Sequence, residues 1–141
     1  MFLLGDSLGY LVNRAALAMR WALDERLVKY DLTAPQWAIL AALWEEDCQP
    51  LSAVGGVLGF DKPTTTGIVD RLEKKRLVKR KRDAVDRRVI RVYLTKSGAA
   101  LRRRLPSLAD DVNVLAAAGI SKSDLEALKR GLRAVWKNLG V

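Results

Sequence analysis

The sequence predicts a mainly α-helical chain with one small β-hairpin. Two observations carry this. Apolar residues recur at helical spacing along most of the 141 residues, with capping residues marking the starts and stops, and the period changes to two only once, between Val78 and Leu94. Half of the residues are hydrophobic, enough for one core and too many for bulk disorder. The chain reads as a single unit, 1–141, without linker, repeat or low-complexity segment.

From Ser7 to Tyr30 two apolar stripes run along one helix, Leu8, Leu11, Val12 and Ala15 beginning the first, Tyr10, Leu17 and Trp21 the second. A helix apolar on two sides is expected to be buried on two sides, against its own domain and a second body. Thr33-Ala34-Pro35-Gln36 is a capping box. It opens a helix with Trp37, Leu40, Ala41 and Trp44 on one stripe, ending near Cys48-Gln49-Pro50. Leu51–Leu58 is a short helical pattern closed by Gly59, and Gly55-Gly56 inside it predicts an irregular helix, at about 1 kcal/mol per glycine. Asp61 is the N-cap of the next helix, with Pro63 in its first turn, where a missing N–H does no harm. That helix, to about Lys75, turns Thr65, Ile68, Val69 and Leu72 inward. Val78–Arg82 and Val89–Leu94 then read as two strands around a polar loop. Thr95 caps a helix heading for Leu115, which Pro106 kinks or breaks. Ser121 caps the last helix, with Leu125, Leu128, Leu132, Val135, Trp136 and Leu139 on one stripe.

The net charge is +9, and it is concentrated. Arg71 to Arg104 holds fifteen Lys and Arg against Glu73, Asp83 and Asp86, whereas the rest of the chain is slightly acidic. A charge run is often only a solvated face. This one spans a helix end, a hairpin and the next helix start, which favours a polyanionic partner, nucleic acid above all. Histidine is absent and Cys48 is the lone cysteine. That excludes an intramolecular disulfide, a Cys-based zinc site and histidine general-base chemistry. Neither a metal nor a cofactor is expected. The adjacent carboxylates Glu45-Glu46 and Asp110-Asp111 point apart on their helices, so an enzyme is not expected either. Cys48, beside Glu45, Glu46 and Asp47, is expected to be buried or inert, because neighbouring carboxylates disfavour a thiolate. The N-terminal apolar run stops at Asp6 without a basic flank, unlike a signal peptide. The longest uncharged apolar stretch, Leu32–Trp44, is thirteen residues, too short for a bilayer. A cytoplasmic location and no membrane partner are expected.

Helix, short helix, helix and basic hairpin is the order of a winged helix-turn-helix, whose second motif helix enters the major groove. The outward face there carries Lys62, Thr64, Thr66, Gly67, Asp70 and Arg71. Threonine can hydrogen-bond a base edge and pack its methyl on thymine, although first-turn threonines are also common for local reasons. Three stretches resemble the MarR (multiple antibiotic resistance regulator) family: Leu32-Thr33-Ala34-Pro35-Gln36-Trp37, Thr64-Thr65-Thr66-Gly67-Ile68-Val69-Asp70-Arg71-Leu72, and Asp83-Ala84-Val85-Asp86-Arg87-Arg88 with Leu94-Thr95-Lys96-Ser97-Gly98 after it. The resemblance runs from about Leu8 to Leu139.

It implies a homodimeric regulator of double-stranded DNA, with residues 32–95 as the DNA-binding lobe and 1–31 and 96–141 as helical dimerisation regions. Arg88 at the wing tip would enter the minor groove with Asp86 holding its guanidinium, the alternative being an ordinary surface ion pair. The candidate DNA-contacting set is Lys62, Pro63, Thr64, Thr66, Gly67, Asp70, Arg71, Lys75, Arg82, Asp86, Arg87 and Arg88. Relatives also imply a small aromatic acid effector, for which Arg14, Trp21, Trp37 and Trp44 are candidates, although tryptophans at helical spacing are more often core. The competing reading is a winged-helix module that binds RNA or protein without an operator.

Overall fold

A computed structural model describes residues 1–141. The chain folds as α1 (Leu8–Leu27), α2 (Ala34–Glu45), β1 (Gln49–Pro50), α3 (Leu51–Leu58), α4 (Lys62–Lys74), β2 (Val78–Arg82), β3 (Ile90–Leu94), α5 (Lys96–Ala100), α6 (Leu105–Ala116) and α7 (Lys122–Asn138), with short 3-10 turns after α1 and α5. The starts of four helices follow from local chemistry. Thr33 Oγ1 accepts from Gln36 N–H at 3.4 Å while Gln36 Oε1 accepts from Thr33 N–H at 3.2 Å, the reciprocal box that opens α2. Asp61, Thr95 and Ser121 cap α4, α5 and α7 through the amides of Thr64, Gly98 and Asp124.

The sheet is antiparallel, in the order β1-β3-β2, with Val78 opposite Leu94 and Arg82 opposite Ile90. Its third strand corrects the expectation of a two-stranded hairpin. Gln49 and Pro50, read as a helix end, pair with Val92 and Arg91. Pro50 is tolerated because β1 is an edge strand and needs no donor there. Asp47 Oδ1 accepts from Leu94 N–H at 2.9 Å and Arg91 Nη1 donates to the Cys48 carbonyl at 2.8 Å, so side chains secure a strand of only two residues.

Two glycines sit where chains touch. A Cβ on Gly55 would overlap Thr65 Oγ1, so this glycine lets α3 cross directly over α4. The glycine pair does not disorder α3, as its propensity cost suggested. The helix is regular over all eight residues, because packing against α4 outweighs the cost. A Cβ on Gly98 would overlap the Leu77 carbonyl oxygen, and Gly98 O accepts from Trp44 Nε1 at 2.9 Å. The helix after Thr95 breaks rather than kinks. Residues 101–103 form a 3-10 turn and Pro106 sits in the first turn of α6, where it clashes with no preceding helical carbonyl.

The core runs from Leu27 to Leu105 and is shared by α1, α2, α3, α4, the sheet and the start of α6. No residue of α7 is buried, although its apolar stripe is intact: Leu128, Trp136 and Leu139 are exposed. Leu8, Leu11 and Trp21 of α1 are exposed as well. Both ends of the chain therefore carry apolar surface that the chain itself does not cover.

Candidate nucleic-acid interface

α4 presents its outward face as the helical spacing requires, with Thr65, Ile68, Val69 and Leu72 buried beneath it. Lys62, Pro63, Thr64 and Arg71 are exposed, and Thr66 and Gly67 are partly so. The Thr64 amide, 2.7 Å from Asp61 Oδ1, together with its hydroxyl, holds the Asp61 carboxyl below the usual range, so the cap is charged at the positive end of the helix.

Two residues of the candidate set do not belong to this face. Asp70 Oδ1 lies 2.5 Å from Arg80 Nη2, which also donates to Glu73 Oε1 at 3.1 Å. Arg80 holds Glu73 below the usual carboxylate range, chiefly by that side-chain bond. Asp70 thus faces β2, where a cation offsets it, rather than a base edge. Lys75 turns the other way. Its ammonium donates to Gln36 Oε1 at 3.1 Å and to the Asp31 carbonyl, which places it behind α4. Both partners of Lys75 are remote in sequence, and nothing local marks either Lys75 or Asp70 as paired.

The wing loop, Asp83 to Val89, is organised by two carboxylates. Asp83 Oδ2 accepts from the amides of Val85 and Asp86 at 3.0 and 2.8 Å, and its Oδ1 accepts from Arg91 Nε at 2.6 Å. The Asp86 amide first, then the Arg91 guanidinium and the Val85 amide, lower the Asp83 pKa to about 2. Asp86 grips Arg88 in a bidentate pair, Nε to Oδ1 and Nη2 to Oδ2, each at 3.1 Å. That contact lowers the Asp86 pKa and raises that of Arg88. Arg82 Nη1 donates to the Arg87 carbonyl at 2.9 Å, bracing the loop from β2. Asp83 and Arg91 are outside the set that sequence reasoning picked out. The Asp-x-x-Asp spacing is the signal that could have found Asp83, since Asp readily accepts from amides two and three residues on.

α3, the start of α4 and the wing border a groove of about 390 Å³ lined by Leu51, Gly55, Phe60, Lys62, Arg88 and Ile90 among others. Elsewhere on the lobe Lys74, Arg76, Lys79, Lys81, Arg82 and Arg87 are exposed, whereas Lys75, Arg80 and Arg91 pair with carboxylates of the same chain. The basic run therefore divides into cations that face outward and cations that build the lobe.

The effector candidates divide too. Trp37 and Trp44 line a second cavity of about 360 Å³ between α2 and α6, together with Arg102, Pro106 and Asn113. Arg14 and Trp21 are exposed on α1 and line neither cavity. Trp44 is 7% exposed and belongs to the core, so its indole serves both. Cys48 is exposed in a left-handed turn (φ 62°), so of the two expectations, buried or inert, the first does not hold. Its position is set by the chain reversal into β1. No helix is long and apolar enough to cross a membrane.

Comparison with known proteins places this geometry. The MarR family model matches residues 32–90, from the capping box to the start of β3. The chain is similar to the HTH-type transcriptional regulator MgrA of Staphylococcus aureus, 30% identical over 125 residues covering 89% of this chain and 84% of that one. It superimposes with a TM-score of 0.83 on MarR from E. coli complexed with operator DNA, at 27% identity, covering 91% of this chain and 92% of that one. With BpsR of Bordetella bronchiseptica, whose DNA binding is regulated by 6-hydroxynicotinic acid, the TM-score is 0.88 at 25% identity, covering 96% of each chain. The chain belongs to the MarR family and is a DNA-binding transcriptional regulator with a winged helix-turn-helix.

Proposed function

We propose that the protein is a cytoplasmic, non-enzymatic repressor that binds a pseudo-palindromic duplex as a homodimer, inserting α4 into the major groove and Arg88 into the adjacent minor groove. The observation that carries this is the shared groove: Lys62 at the start of α4 and Arg88 at the wing line one cavity, which supports helix and wing docking together. On that face Lys62, Pro63, Thr64, Thr66, Gly67 and Arg71 meet the major groove, while Arg82 and Arg87 hold phosphates beside Arg88. Residues 32–95 form the DNA-binding lobe, and 1–31 with 96–141 join the subunits. The uncovered stripes of α1 and α7 support the pairing. The α2–α6 cavity suits a small aromatic acid, with the indoles of Trp37 and Trp44 beside the ring and Arg102 paired to its carboxylate.

Selection of bound fragments from random duplex DNA, with and without aromatic acids, tests the reading. Enrichment of a two-fold symmetric site, weakened by an acid, is the expected result. Equal retention of scrambled duplex or RNA would overturn it.

A further inference from the structure

Beyond the packing of Leu72, the carboxyl end of α4 is tied to the helices behind it by the hydrogen bonds of one side chain. Lys75 follows the last residue of α4, and its own amide donates to Arg71 O. Its ammonium donates to Gln36 Oε1 and to the Asp31 carbonyl, with Asp31 Oδ2 3.6 Å away. Gln36 is 5% exposed, and its Oε1 is the same atom that closes the capping box of α2. Asp31 ends the turn after α1 in the left-handed conformation (φ 55°). Ala34 N–H donates to Asp24 Oδ1 at 2.6 Å, so α1 and α2 are already laced at this junction. On the other flank Thr95 Oγ1 donates to the Arg76 carbonyl at 2.7 Å, tying the turn after α4 to the start of α5. An ammonium has three donors. Two are engaged here, and a carboxylate lies beside the third.

We propose that Lys75 is a positioning residue for operator recognition: it sets the angle of α4 against the α1–α2 junction, and through it the separation of the two reading helices in the dimer, without touching DNA. This rests on the dimeric DNA-binding reading above. Shifting one half-site by a base pair moves it about 3.4 Å along the duplex. A dimer with its reading helices locked rejects that shift, and one with a loosened helix accommodates it. A lysine that neutralised a phosphate would act through salt dependence and not through spacing.

The test uses the full chain, the operator from the selection, and versions with one base pair inserted or deleted between half-sites, each titrated across salt. Lys75→Met keeps an unbranched apolar stem and removes the ammonium. The expected result is an unchanged salt slope with a several-fold loss of preference for the correct spacing. Asp31→Gly keeps the carbonyl acceptor and suits the left-handed backbone, so it should keep the wild-type preference. Lys75→Ala, which also removes the donor, replaces the methionine variant if circular dichroism shows that the latter is unfolded, with the same expected loss of spacing preference. A salt slope lower by about one with spacing preference intact would overturn the proposal in favour of a phosphate contact. No change in either quantity would overturn it as well. Wild-type protein that binds no duplex, or binds as a monomer, would defeat the dimeric reading itself, and that outcome is visible without any variant.

Discussion

Asp86 holds the Arg88 guanidinium through two hydrogen bonds of 3.1 Å while the Arg88 side chain remains 92% exposed. An exposed ion pair of this kind adds little to stability. What it does is select one orientation for a planar, permanently charged fork on a loop that Asp83 already holds in shape. On the proposed reading its value is in binding.

Arg88→Ala should weaken binding to every operator more than Arg103→Ala does, and should lower the salt slope by about one. Asp86→Asn should fall between wild type and Arg88→Ala, since the guanidinium survives but loses its bidentate partner. Fluorescence anisotropy across a salt series checks all three variants. Equal small losses for Arg88→Ala and Arg103→Ala would show that the wing does not dock.

The folded-state pKa of Asp83, about 2, is depressed from its ordinary value of 3.8. Its contribution to stability is therefore present above about pH 4 and is lost as pH falls through about 2. Asp83→Asn should be less stable than wild type at neutral pH, and the difference should close over that window. Denaturant unfolding at several pH values gives the comparison. A constant difference down to pH 2 would assign the effect to lost shape rather than lost charge.

Adjacent glycines in α3 should respond in opposite directions to alanine. Gly55→Ala puts a methyl into Thr65 Oγ1 and should cost about 1–3 kcal/mol. A methyl on Gly56 would meet nothing within 4 Å, so Gly56→Ala should stabilise by about 1 kcal/mol. Thr65→Ala should relieve much of the Gly55→Ala penalty, a coupling that a double-mutant cycle measures.

With Asp70 engaged by Arg80, the reading face of α4 offers Thr64, Thr66 and Gly67, with Lys62 at its start and Arg71 near its end. Good bidentate base contacts are worth roughly 1–3 kcal/mol of discrimination each, and this face can make few. Specificity should therefore lean on DNA shape. Changing A·T flanks to G·C should cost as much as a central substitution. Gly67→Arg, at a position whose nearest neighbour would be Arg71 Nη1 at 3.9 Å, should fold normally, raise affinity for all duplexes and shift preference towards guanine at one position. Silent flanks with decisive central changes would mean that the threonines read bases directly.

The features legible in the chain alone are local ones. The capping box of Thr33 and Gln36, the caps at Asp61, Thr95 and Ser121, the inward quartet of α4 and the alternation of Ile90, Val92 and Leu94 all depend on residues within a turn or two of each other. Helical and strand periods and capping distances are written in such spacings, so the order of elements, and with it the family resemblance, could be read directly. Which charges face outward is a matter for the fold. Lys75 meets Asp31 across 44 residues and Arg91 meets the Cys48 carbonyl across 43, while Trp44 reaches Gly98 across 54. The strand at Gln49–Pro50 exists only because β3 returns beside it, and Gly55 makes sense only once α4 crosses α3. A basic residue looks the same in a sequence whether it awaits a phosphate or closes an internal pair. Only folding brings up the carboxylate or carbonyl that makes the difference.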